Sequence, residues 1–378
     1  MQGVKELFPL LGGGTAYLDS AASAQKPKPV LDAMVDFVRD DYANVHRGLY
    51  PLAQRADLLY TEARERVARF FGVDASEVVW TSGTTDAINL VANSFGTDDK
   101  VIVGDAEHHS NLLPWQKCKL EIMPDFDLKW LESNIGGAKL LAITGQSNVL
   151  GARAPIEEMT EIAHKAGAKI LVDAAQMAAH FAIDFKDLGA DFMALSSHKL
   201  YGPTGLGVLI GRYDALVELK PYRLGGDMVE SADYRSFAPR KPPEKFEAGT
   251  QPIIETQGFK AALDFMSELG MKNIEAHARD LTCLAYEKLG AIKNLRIISS
   301  PDSVGIVAFV VEGISNYDIG SLLGAKGVCV RVGHHCAEPL HKKLGYAGSI
   351  RASFGVYNDS ADIDRLHAAL VESIKVLA

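Results

Sequence analysis

The chain is short of cysteine, of clustered positive charge and of long apolar runs, and each shortage narrows what it can be. Four cysteines, Cys118, Cys283, Cys329 and Cys336, are spread over 378 residues with no Cys-x-x-Cys pair. That spacing fits neither a disulfide scaffold nor a structural metal site, and it predicts a reducing compartment. Lysine and arginine are scattered, in clusters no larger than Lys342–Lys343, and 39 basic side chains face 48 acidic ones for a formal net charge of −9. The basic face of a nucleic-acid binder is missing. No stretch approaches the roughly 20 apolar residues of a membrane span. The N-terminal segment lacks a basic region followed by a long apolar one, so no secretory signal is expected and a cytoplasmic location follows.

What is present is ordinary globular material: 47% hydrophobic and 23% charged residues, enough apolar surface to offset chain entropy and exclude general disorder. Short apolar runs alternate with longer mixed segments. Val78–Trp80, Val101–Val103, Lys139–Thr144, Ile170–Asp173 and Phe192–Leu195 read as buried parallel strands, and Gly205–Gly211 as one more, antiparallel. Asp86–Ser94 and Ile156–Ala166 read as helices, the second opened by Pro155 and closed by Gly167. This alternation predicts a doubly wound α/β sheet. Pro221–Pro252, rich in glycine, proline and charge, reads as a long functional excursion. Helices are expected at Glu255–Leu269 and Asn273–Leu289, strands at Gly305–Val311, Val328–Val332 and Ile350–Ser353, and a last helix from Ser360 to Leu377. The division expected is a large unit over 15–255 and a smaller α/β unit over 256–378, completed by residues 1–14.

Several side chains stand where chemistry is done. Ser82-Gly83-Thr84-Thr85 lies at a strand-to-helix turn, which suits an anion as well as a plain N-cap. Asp173 ends a buried strand, at the edge where open α/β sheets bind ligands, with Gln176 close behind it. Lys199 follows Ser196-Ser197-His198 at the next strand end, where burial lowers an amine's pKa and makes it a candidate nucleophile. His108 and His109 follow another strand, without the further ligands that zinc requires. Cys336 adjoins His334 and His335 and stands five residues from Arg331, an electropositive setting that favours thiolate. Arg351 offers a bidentate clamp for a carboxylate, or a structural ion pair.

Together these residues resemble a known family. Asp-x-x-Gln and Ser-x-His-Lys, with 26 residues from Asp173 to Lys199, look like the pyridoxal-phosphate site of fold-type I, class V aminotransferase-like enzymes. Within that group the chain is similar to the group II, Suf-type cysteine desulfurases and selenocysteine lyase-like proteins. The matching segments run in order through nearly the whole chain: YLDSAASAQKP (17–27), NVHRG (44–48), GTT (83–85), EHHSNLLPWQ (107–116), SNVLG (147–151), VDAAQ (172–176), SSHKLYGPTGLGVL (196–209), FEAGTQ (246–251), RVGHHCAEP (331–339) and IRASFGVYN (350–358).

The resemblance implies a large, mostly parallel seven-stranded sheet domain with a smaller C-terminal α/β domain carrying the cysteine loop. It implies that Lys199 would hold pyridoxal 5'-phosphate covalently, Asp173 would face the pyridine nitrogen and Gln176 the ring hydroxyl. His108 would stack on the ring and act as acid or base near the substrate sulfur. Thr84, Thr85, Ser196 and His198 would hold the phosphate, with Thr250 reaching the phosphate of a neighbouring subunit in a homodimer. Asn148 and Arg351 would bind the carboxylate of L-cysteine, and Cys336, with Arg331 nearby, would be the nucleophile that keeps sulfur as a persulfide. A Suf-type acceptor would then carry the sulfur towards iron–sulfur clusters.

The chain departs from the family at Asp227, where a third glycine is common, at Glu338, where a neutral residue is frequent, and in a shortened 117–138 region. Selenocysteine lyase and cysteine-sulfinate desulfinase remain readings of the same residues. An ordinary transaminase would not need Cys336, and a silent scaffold would lack Lys199, Asp173 or Cys336.

Overall fold

The computed structural model describes residues 1 and 3–378. Its largest element is a seven-stranded sheet in the order Val78–Thr81, Gly207–Gly211, Phe192–Ser196, Lys169–Asp173, Ala138–Thr144, Lys100–Gly104, Lys119–Met123. Gly207–Gly211 runs antiparallel to both neighbours, and the other pairings are parallel. Alternate side chains serve opposite faces, as strand geometry requires. Ile102, Leu141, Val172 and Leu195 join helices Pro51–Phe71 and Ile253–Leu269 in one core. Val101, Val103, Leu140 and Leu171 join helix Thr84–Ala92 in the other. Burial on both faces explains why these strands read as unbroken apolar runs.

A second sheet is antiparallel and four-stranded: Leu295–Ile297, Ile306–Val311, Ser349–Ser353, Arg331–Gly333. Its core holds Val307, Phe309, Ile350 and Ala352 against Ile363, Leu366 and Leu370 of the last helix, Ser360–Leu377. The chain's start is tied here too: Ala16–Tyr17 pairs in parallel with Val328–Cys329, and Lys5 Nζ donates to Asp362 at 2.9 Å.

The expected strand Val328–Val332 is corrected to two. Val328–Cys329 takes the N-terminal strand as partner, and after Val330 the chain changes partner, so that Arg331–Gly333 pairs with Ser349–Ser353. Pro221–Pro252 contains a small exposed hairpin, Val229–Ala232 with Phe237–Pro239. Several elements were not expected from the sequence, two of them in or beside the large sheet. Helix Pro51–Phe71 begins on proline and ends at Gly72, and its buried Ala53, Ala56, Tyr60, Ala63, Val67 and Phe71 follow the three-and-four spacing of one helix face. Lys119–Met123 is a half-exposed edge strand with a weak apolar signal.

Candidate active site

The C-terminal ends of the parallel strands open into a cavity of about 420 Å³. Lys199, Asp173, Gln176, His108, Thr84, Thr85, Ser196, His198, Asn148, Arg331, Arg351 and Cys336 all border it. Thr250 does not. It is exposed and lines a second cavity of about 270 Å³, beside the Asp86–Arg223 ion pair.

The floor comes from the large sheet. Asp173 closes its strand, and its Oδ1 accepts the Ala175 N–H at 2.9 Å. Burial pushes its carboxyl up, while that N–H and the Lys199 charge oppose the rise. Gln176 is fixed by its Nε2 donating to Ala21 O at 2.8 Å. Lys199 sits on a single turn after Phe192–Ser196, half-buried at the cavity, and desolvation pulls its ammonium down to about 8 against the attraction of Asp173. A neutral amine is therefore accessible near neutral pH. Burial likewise pulls His198 down to about 4, and the Lys199 charge adds to it.

At one end of the floor, the strand Val78–Thr81 turns through Gly83 into helix Thr84–Ala92. A Cβ on Gly207 would lie 2.5 Å from Gly83 Cα, so glycine is what lets this turn settle onto the sheet. The Thr84 N–H donates to Ser196 Oγ at 2.8 Å. Thr84 Oγ1 shares a hydrogen with Ser196 Oγ, and Thr85 Oγ1 with Ser110 Oγ, both at 2.7 Å. Hydroxyls and N–H groups thus gather at the positive end of a nine-residue helix, a ready setting for an anion. His108 stands beside it. Its Nδ1 accepts the Ser110 N–H at 3.1 Å, so the neutral ring carries its proton on Nε2. Burial first, then the Lys199 charge, pulls His108 down to about 3.

The opposite wall comes from the small sheet. Arg331 and Arg351 are direct partners across their strands. Arg351 is 2% exposed, its Nη1 donates to Asn148 O at 3.0 Å, and its Nε has no partner among the described residues. Burial lowers its pKa to about 10, which still leaves a cation at neutral pH. Asp19 bridges both arginines, 2.7 Å from Arg331 Nη2 and 3.6 Å from Arg351 Nη2. Asp19 lies in the YLDSAASAQKP segment, with no chemical partner near it in sequence. Its partners lie more than 300 residues away, and nothing local signals them.

Between strand Arg331–Gly333 and helix Glu338–Leu344, His335 and Cys336 have φ of 52° and 55°. Consecutive left-handed residues other than glycine cost about 1 kcal/mol or more each. Hydrogen bonds hold the turn: His109 N–H to Cys336 O at 2.7 Å, Asn148 Nδ2 to His335 O at 2.6 Å, and Ala337 N–H to His334 O at 2.8 Å. Cys336 is exposed at the cavity's rim. The two unusual acids have partners, Asp227 with Arg47 and Glu338 with Lys342, each at 2.8 Å.

These residues fit pyridoxal phosphate. They supply an amine held short of full protonation, a buried carboxylate to oppose a ring cation, and a hydroxyl-lined helix terminus for a phosphate. The unpartnered Arg351 Nε is a donor suited to a substrate carboxylate.

Comparison with known proteins agrees. The Aminotransferase class-V family pattern matches residues 16–366. A cysteine desulfurase of Haloferax volcanii is 39% identical, over 94% of this chain and 88% of its own length. One from Serratia proteamaculans is also 39% identical, over 99% and 98%. Among solved structures, the cysteine desulfurase CsdA (S-sulfonic acid) from Escherichia coli superposes with a TM-score of 0.91 at 36% identity, over 99% of this chain and 98% of its own. The apo cysteine desulfurase from Thermococcus onnurineus NA1 reaches 0.94 at 37%, with the same coverage.

Proposed function

Since this chain belongs to the aminotransferase class-V family, we propose that it is a pyridoxal-phosphate-dependent cysteine desulfurase that converts L-cysteine to L-alanine and keeps the sulfur as a persulfide on Cys336. The observation that carries this reading is one cavity bordered by both a desolvated lysine, Lys199, and a cysteine, Cys336, on a strained, hydrogen-bonded turn.

Lys199 would hold the cofactor, with Asp173 and Gln176 beside its ring and Thr84, Thr85, Ser196 and His198 for its phosphate. Bound there, the cofactor supplies an electron sink for the pair left on the substrate's Cα. Arg351 clamps the substrate carboxylate through its unpartnered Nε and Asn148 lines the same wall, while Asp19 fixes both arginines. Lys199 moves the Cα proton. His108, neutral with its proton on Nε2, offers a donor to the substrate sulfur. The Cys336 thiolate attacks that sulfur: an S–S bond forms, the Cβ–S bond breaks, and Cβ takes the electron pair and a proton. Cysteine and thiol become alanine and persulfide, with no outside oxidant or reductant.

The working molecule is a cytoplasmic homodimer, with residues 15–255 as the cofactor-binding unit and 256–378 plus 1–14 as the smaller one. Thr250, exposed and outside its own subunit's cavity, supports a role at the neighbouring subunit's phosphate. The exposure of Cys336 supports delivery of sulfur to a Suf-type acceptor for iron–sulfur clusters. Among the described residues no helix is long and apolar enough to cross a membrane. Incubating the holoenzyme with L-cysteine tests the reading. A persulfide mass on the Cys336 peptide, with alanine released in equal amount, is the expected result. Alanine without that mass, or neither, contradicts it.

A further inference from the structure

Beneath the cysteine turn lies a short chain of buried polar groups that the proposed reaction has not used. His341 Nδ1 is 3.0 Å from Ala337 O, and His341 Nε2 is 3.0 Å from Ser349 Oγ. His335 Nε2 is 2.9 Å from the same hydroxyl. A carbonyl oxygen only accepts, so His341 must donate from Nδ1, and its neutral ring is left with Nε2 as an acceptor. The single Ser349 proton therefore goes to His341. His335 must then donate its own proton from Nε2 to Ser349 Oγ, which leaves its Nδ1 as a bare acceptor. That atom is buried and has no partner among the described residues, and His335, 7% exposed, borders the cavity next to Cys336.

A buried acceptor with no partner in the protein is costly unless the cavity's occupant supplies a donor. The substrate brings such a donor where sulfur is exchanged. We propose that His335 Nδ1 accepts a hydrogen bond from the thiol of the bound L-cysteine, its tautomer fixed through Ser349 by His341. This rests on the desulfurase reading and extends it to a further substrate-contacting residue. Across the site His108 presents an N–H, so the two histidines together offer one donor and one acceptor, the valence of a neutral thiol. Neutrality matters because two thiolates repel, and a hydrogen bond accepted from the protonated form favours that form. The sulfur keeps its hydrogen as it passes from Cβ to Cys336, so one acceptor serves both substrate thiol and persulfide. Burial, with Arg351, His341 and Arg331 nearby, keeps His335 itself neutral and able only to accept at Nδ1.

The test is His335→Gln, whose amide nitrogen can stand in for Nε2 and keep the Ser349 contact while nothing replaces Nδ1. Two reactions are measured on the holoenzyme: persulfide formation on Cys336 from L-cysteine, and exchange of the Cα hydrogen of L-alanine with deuterated water, which involves no thiol. The expected result is a roughly tenfold slower persulfide step, the size of one lost hydrogen bond, with alanine exchange unchanged. His335→Asn, whose Oδ1 can replace Nδ1, recovers part of the loss. An unchanged persulfide rate in His335→Gln overturns the proposal, as does an equal fall in both reactions, which marks a structural role. Absence of alanine exchange and of persulfide in the wild-type enzyme sinks the desulfurase reading instead.

Discussion

The two walls of the cavity are built on different plans. On the floor, several polar groups are already tied within the protein: Asp173 to Ala175, Gln176 to Ala21, Thr84 to Ser196, His108 to Ser110. On the facing wall, Arg351 Nε, His335 Nδ1 and Asn148 Oδ1 are buried without partners among the described residues, and the turn that carries Cys336 is strained. A resident cofactor needs a rigid, prepaid seat, because its orientation sets the chemistry of every turnover. A transient substrate is better met by side chains with free hydrogen-bonding capacity, since contacts it alone completes contribute to its recognition. The floor rests on strand ends buried on both faces, and the wall on two strands of a smaller sheet, a turn, and Asn148 from the loop that follows Ala138–Thr144.

This division can be broken from either side. Asp173→Asn removes the floor's charge, and the expected effect is the largest, a loss of cofactor affinity of roughly a hundredfold or more. It is read as weakened cofactor absorbance after desalting, with no change in the far-ultraviolet circular dichroism. Arg351→Lys, by contrast, should leave cofactor content intact and raise the KM for L-cysteine roughly tenfold, because an ammonium cannot reproduce the guanidinium fork. If the two variants exchange these signatures, the contrast between walls is wrong.

A smaller effect concerns acid stability. His108 and His335 are held down to about 3 and about 2, mainly by burial, so both stay neutral in the folded protein while the unfolded chain takes up protons below about pH 6.5. The unfolded state binds more protons in that window, so stability falls as pH drops from 6.5 towards 3. Each imidazole contributes about 1.4 kcal/mol per pH unit at most. Chemical denaturation of wild type, His108→Gln and His335→Gln between pH 6 and 4 should show a shallower decline in each variant. Parallel declines in all three contradict the assigned burial.

The floor was legible in the sequence because its residues terminate apolar runs: Asp173 closes ILVD and Lys199 follows FMALSSH, so strand and chemistry announce each other locally. Cys336 was legible through its neighbours His334, His335 and Arg331. The wall's support was not. Asp19 meets arginines far along the chain, and the direction of the His341–Ser349–His335 chain depends on a carbonyl at Ala337 that only the folded turn places. The change of strand partner at Val330 escaped for the same reason, since apolar patterning marks a strand without saying which strand it joins.

The most direct test of the central claim uses Cys336→Ser in deuterated water with L-cysteine. If the floor moves the Cα proton and the facing turn takes the sulfur, the variant still exchanges the Cα hydrogen of L-cysteine at a rate near wild type, yet releases no alanine. Continued alanine release, or loss of exchange together with sulfur transfer, would contradict the account.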